Sequence, residues 1–267
     1  MPASRSPRPG IELKRRPRRW PLILLGVIAL AAALVFVLPA SMISHFLPAQ
    51  VHAEDYSGTL VHGAAGRLAV NAREAGAIEW RVHPLSLLRM ALVVDIHWVK
   101  VGFVINGTAE FTGGAVAGHD IQGGGPIEDL HDLGLAAGWS GTVQMMIAQF
   151  KGDFQRVDSA VGTLEVAHLT AAQIADGSDL GSYVLQLAPG AIASDGTITA
   201  NLHDTGGPLE AQAQIRYAPA THTGMLSGTL KERAEASPAL RTQLSSLSQL
   251  RPRDAAGRFP VDLEFTL

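Results

Sequence analysis

The 267 residues suffice for one sizeable domain, and the net charge of −3 conceals an asymmetry. Residues 1–20 carry seven Lys/Arg and one acid (+6), leaving 14 basic against 23 acidic residues (−9) in the remainder. An acidic bulk argues against nucleic acid as a partner, and the absence of cysteine excludes disulfides, thiolate catalysis and cysteine metal sites.

The first element follows the basic run Lys14-Arg15-Arg16-Pro17-Arg18-Arg19. From Leu22 to Leu38 no side chain is charged or polar. At about 1.5 Å rise per residue, such a run covers most of a hydrocarbon core roughly 30 Å thick. A cleaved signal peptide has a shorter run followed closely by a small-x-small site. The best such site here, Val51-His52-Ala53, lies well beyond the run, so the segment is read as an uncleaved transmembrane helix over 21–40. Basic residues beside such a helix stay cytoplasmic. The expected arrangement is a cytoplasmic tail (1–20), a single pass through a bacterial inner membrane, a linker (41–55) and a periplasmic domain (56–267).

Abundant glycine (28 residues) with little charge predicts a mainly β domain, an antiparallel sheet with frequent turns and a few short helices. Ser57–Leu60 and Gly66–Val70 read as a first strand pair, and Ala77–Val82 alternates as a half-buried strand. A turn at Leu85–Leu88 precedes Met90–Lys100, whose residues Leu92, Val94, Ile96 and Trp98 form the more apolar face. Val101–Gly107 either continues that strand or returns beside it after a bend near Gly102. Thr108–Phe111 and Ala115–Ile121 complete a meander. Gly123-Gly124-Gly125-Pro126 is the clearest internal boundary, with two β layers joined there as one arrangement. Ile127, Leu130 and Leu133 fit a short helix capped by Gly134. Further strands are expected over 141–150, 161–167, 183–187, 196–202, 209–217 and 224–231. Ser237 and Pro238 suit the N-cap and first position of a helix carrying Leu240, Leu244, Leu247 and Leu250 on one face. Val261–Leu267 alternates as a last strand.

The residues that carry chemistry elsewhere form no reactive pattern here. Histidine stands beside aspartate at His119-Asp120, His131-Asp132 and His203-Asp204, but neighbours on a strand point to opposite faces and cannot grip one ion together. Gly138-Trp139-Ser140-Gly141 lacks the spacing of a nucleophile elbow and precedes a strand rather than a helix. Gly123-Gly124-Gly125-Pro126 has no following Lys-Ser/Thr, and Gly113-Gly114 with Gly118 does not match dinucleotide spacing. The reading is of a non-enzyme with no catalytic, cofactor-binding or metal-binding residues. It is a binding or scaffolding module whose sheet adds a partner strand at an edge or presents an apolar face.

The order of these features resembles that of the type II secretion system protein N family. It rests on Pro39-Ala40-Ser41 ending the helix, Tyr56-Ser57-Gly58-Thr59-Leu60, and Ile78-Glu79-Trp80-Arg81-Val82-His83-Pro84-Leu85-Ser86-Leu87. A leucine-rich helix and Asp254-Ala255-Ala256-Gly257-Arg258-Phe259-Pro260-Val261 complete it. Val61 departs from the tryptophan that often follows Gly-Thr-Leu, and residues 100–180 diverge. The resemblance implies a non-catalytic component for export of folded proteins across the outer membrane, in contact with other secretion subunits. It also implies a curved, groove-like sheet. The alternative from a different class is a membrane-tethered lipid-binding or lipid-transfer groove protein.

Overall fold

The computed structural model describes residues 37–45, 47, 50–71, 73–129, 138–153, 156–174, 177–248 and 252–266. The expected basic tail and nearly all of the expected membrane helix lie outside that set, as does the continuation of the short helix expected after Ile127. Among the described residues no helix is long and apolar enough to cross a membrane.

Thirteen strands form one antiparallel sheet in simple sequence order, each hydrogen-bonded to the next. They are β1 (Val51–Gly58), β2 (His62–Val70), β3 (Arg73–His83), β4 (Leu92–Lys100), β5 (Phe103–Thr112), β6 (Ala115–Pro126) and β7 (Trp139–Asp153). The set continues with β8 (Val157–Ala171), β9 (Asp179–Leu187), β10 (Ile198–Gly206), β11 (Leu209–Ala218), β12 (Thr223–Glu232) and β13 (Phe259–Thr266). No described pairing joins β1 to β13, so the sheet is open. Such a meander needs only short connections. Val101 and Gly102 turn β4 into β5, so the segment after Lys100 returns as a neighbour. Gly113 and Gly114, both at positive φ, make the two-residue turn into β6, where a side chain at either position is strained.

The triple glycine does not interrupt the sheet. Gly123, Gly124 and Gly125 stand inside β6, paired with β5 on one side and β7 on the other, so strand pairing is continuous through 123–126. A Cβ on Gly123 would lie 2.7 Å from the Ile105 side chain, and one on Gly125 2.7 Å from the Phe103 ring. These glycines make room for large neighbours across the ladder. The expected linker also contributes more than a link, because β1 begins at Val51.

The α-helix α1 (Pro238–Ser248) lies between β12 and β13. The Leu240 N–H donates to the Ser237 hydroxyl at 3.2 Å, the expected N-cap bond. Leu240 and Leu244 are buried with Ala171, Leu180, Leu209 and Phe259, so α1 covers one end of the later strands. Over the early strands, the 3-10 turn Ala40–His45 packs Ala40 and Ile43 against Ala65, Trp80 and Val94. Trp80 anchors that cluster, its indole N–H donating to the Leu60 carbonyl at 3.0 Å. Phe103, Ile127 and Val143 form a third cluster, flanked by Trp98, which donates to the Ala75 carbonyl at 2.6 Å.

Candidate interaction surfaces

Residues directly opposite in an antiparallel ladder point to the same face, so the register can be followed from edge to edge. Starting at Tyr56, the chain of partners is Ala65, Ile78, Trp98, Ile105, Gly123 and Met145. It continues through Leu164, Leu185, Leu202, Ala213 and Gly228 to Val261. This row takes one residue from every strand and none is charged. At the usual strand spacing it is about 58 Å long.

The next row, on the opposite face, reads Ser57, Ala64, Glu79, His97, Asn106, Gln122, Met146, Thr163, Gln186, Asn201, Gln214, Ser227 and Asp262. Only Ala64 and Met146 are apolar. The sheet therefore has one apolar and one polar face, the pattern of a sheet covered on one side. Yet the described cover comes from α1 with Ala236 and Ile174 beside it, and from the turns at Ala40–His45 and Ile127. Of the apolar row only Ala65 is buried, and the other twelve residues are partly exposed. Among the described residues, an apolar stripe of this length without a full second layer is the strongest sign of a binding surface.

The polar face carries short hydrogen-bonded pairs. The His83 ring Nε2 lies 2.6 Å from Asp95 Oδ2, while the Thr108 hydroxyl donates to Asp95 Oδ1 at 2.9 Å. These contacts, that from His83 foremost, hold the Asp95 carboxyl below its ordinary pKa. His97 meets Asn106 on the next strand.

The His-Asp pairs divide as strand geometry requires. His119 approaches Glu110 at 4.0 Å on the polar face, while Asp120 occupies a positive-φ bulge. His203 is exposed on the polar face, whereas Asp204 turns to the other. His131 and Asp132 lie outside the described residues. Among the described residues no three His, Asp or Glu side chains gather around a common point. Trp139, in the Gly-Trp-Ser-Gly stretch, opens β7 and packs against two hydrophobic clusters.

Sequence reading missed a polar cluster on the apolar side. The Asp204 side chain, 8% exposed, accepts a bond from Arg233, 29 residues away, and its other oxygen accepts the Ala211 N–H at 2.9 Å. Arg233 also donates to the Gly207 carbonyl at 3.1 Å. Beside them the Tyr183 hydroxyl donates to the Leu180 carbonyl at 2.6 Å. Burial first, then the charge of Asp204, pushes the Tyr183 phenol up to about 12. With these groups engaged at the edge of the α1 cluster, Asp204 ties β10 to β11 and, through Arg233, to the end of β12. The only hint in the sequence is an acid two residues after Leu202, at a position whose alternation assigns it to the apolar face.

Compared with models of known families, the chain matches the one described as type II secretion system (T2SS), protein N, over residues 49–262. The comparisons with curated proteins and with solved structures returned no match.

Proposed function

The chain belongs to the type II secretion system protein N family, and from that premise we propose that it is a non-enzymatic scaffold tethered in the inner membrane. In this reading the apolar run Leu22–Leu38 crosses the bilayer with the arginine-rich tail in the cytoplasm. The sheet then stands in the periplasm and contacts other secretion subunits. The observation that carries the reading is the uncharged, partly exposed row from Tyr56 to Val261, on a chain whose family is a secretion component. Tethering raises the effective concentration of the sheet near its partners, so individually weak contacts suffice.

The test replaces residues 1–36 with a cleavable signal peptide, so that the sheet, with Ala40 still in its core, is exported but untethered. In a host lacking the native chain, secretion fails although the sheet accumulates in the periplasm. Full secretion by the untethered form would refute the tether.

The same row favours a second reading, in which the apolar face shields acyl chains of phospholipid. Mass spectrometry of the chain purified from membranes, with the detergent exchanged away, separates the two. Stoichiometric phospholipid lost on Leu202→Asp supports the lipid groove, and secretion subunits retained without lipid support the scaffold.

A further inference from the structure

β13 is paired on one side only. Eight register partners tie it to β12, from Thr223↔Thr266 to Leu230↔Phe259, and no described residue pairs with its outer side. Its outward N–H and C=O groups form a template for another strand.

The opposite edge is guarded in the ways that sheets guard edges. In β1 Asp55 sits at positive φ, and Arg67 draws Asp55 and Glu54 into ion pairs of 3.1 and 3.7 Å. A bridge from Pro39 to Thr59 then brings the preceding segment beside its end. β13 carries Pro260 near its start and the charged Asp262 and Glu264, but no break in its backbone and no described segment laid beside it. Its register with β12 is unbroken and it has no positive-φ residue. The Phe265 ring lies where a Cβ on Gly224 would sit, so the strand is seated firmly on β12.

Side chains define what could be added. Val261, Leu263 and Phe265 lie on the apolar face, and Leu263 is 58% exposed. On the polar face stand Asp262 and Glu264, the latter ending a ladder row from Arg216 through Met225. A hollow of about 470 Å³ opens there, lined by Arg216, Met225 and Glu264 among others. A second copy fits poorly. Pairing β13 with itself about Asp262 or Leu263, the registers that match most of the strand, sets acid against acid. Its β1 brings Glu54 to the same face. Like charges directly opposite destabilise a strand pair.

We propose that the outer edge of β13 takes an extended segment of a partner polypeptide, alternating apolar and basic residues, as a fourteenth strand. The apolar residues continue the row that ends at Val261, and the basic ones face Asp262 and Glu264. This deepens the scaffold reading and rests on it, since the segment belongs to a secretion subunit.

Two measurements on the full chain test it. The first titrates it in detergent with short peptides alternating lysine with valine, or glutamate with valine, carrying a ¹³C-carbonyl label for infrared spectroscopy. The lysine peptide binds and its labelled carbonyls shift to a strand frequency. Asp262→Lys with Glu264→Lys, on exposed positions and checked by melting curve, weakens it roughly tenfold and favours the glutamate peptide. Binding indifferent to that reversal, or without strand coupling, overturns the proposal. The second places a photo-crosslinker at Leu263 or Leu202 in cells. Secretion subunits captured from Leu263 support the edge. Capture from Leu202 alone overturns the edge and leaves the scaffold standing, whereas capture from neither overturns both.

Discussion

The Asp204–Arg233 pair offers the sharpest test of how the sheet is held. Asp204→Ala removes a carboxylate that accepts from both Arg233 and the Ala211 N–H. It leaves a guanidinium that is only 34% exposed without its charge partner. Breaking a fully buried pair costs about 3–5 kcal/mol. Arg233 keeps its bond to Gly207 and reaches some water, so the expected cost is ~2–3 kcal/mol, a fall in Tm of about 4–12 °C at this chain length. Urea denaturation of the chain in detergent, followed by circular dichroism, measures it. Asp204→Leu with Arg233→Met should recover most of the loss, because the desolvation penalty leaves with the charges. A cost below ~0.5 kcal/mol for Asp204→Ala, or a double variant as weak as the single, would refute the assignment of this pair as a buried staple.

Three further outcomes are expected. Tyr183 keeps its proton while the unfolded phenol ionises near 10, so its contribution to stability is complete below that pH and is lost as pH rises through about 12. In an ultraviolet titration of the phenolate bands, Tyr183→Phe should remove a late component near 12. For Asp95 the sign is opposite. Its lowered pKa means the unfolded state binds protons first on acidification, so the contribution is present above the ordinary carboxylate range and falls away as pH drops through the lowered value. Asp95→Asn should flatten the acid limb of Tm against pH, and an unchanged limb counts against the His83 contact. Finally, the Tyr56 hydroxyl is buried with no partner among the described residues, so Tyr56→Phe should hold or raise stability, by up to about 1 kcal/mol, in the same urea assay.

Much of this architecture is written locally. Alternation in Leu92, Val94, Ile96 and Trp98 places them on one face, and Ser237-Pro238 marks where α1 begins. What the sequence hides depends on distant partners. Gly123 and Gly125 look like a break because glycine is a turn residue, yet the side chains they accommodate, Ile105 and Phe103, come from the preceding strand. His52 and Glu54 read as linker because β1 is an edge strand whose polar face meets water. The row from Tyr56 to Val261 is the least legible feature. Its continuity depends on bulges that restore register, such as the one at Asp120, and these follow no strict alternation. The Asp204–Arg233 contact needs β10 to meet the end of β12 across β11, which no spacing announces.

The proposed function places the work of this sheet on its apolar row. The direct measurement is photo-crosslinking in intact cells from Met145 and Leu202, compared with their neighbours Met146 and Asn201 on the other face. Adducts with secretion subunits, or with phospholipid under the second reading, are expected from Met145 and Leu202 and none from Met146 and Asn201. Equal labelling from both faces, or labelling confined to the polar one, would contradict that proposal.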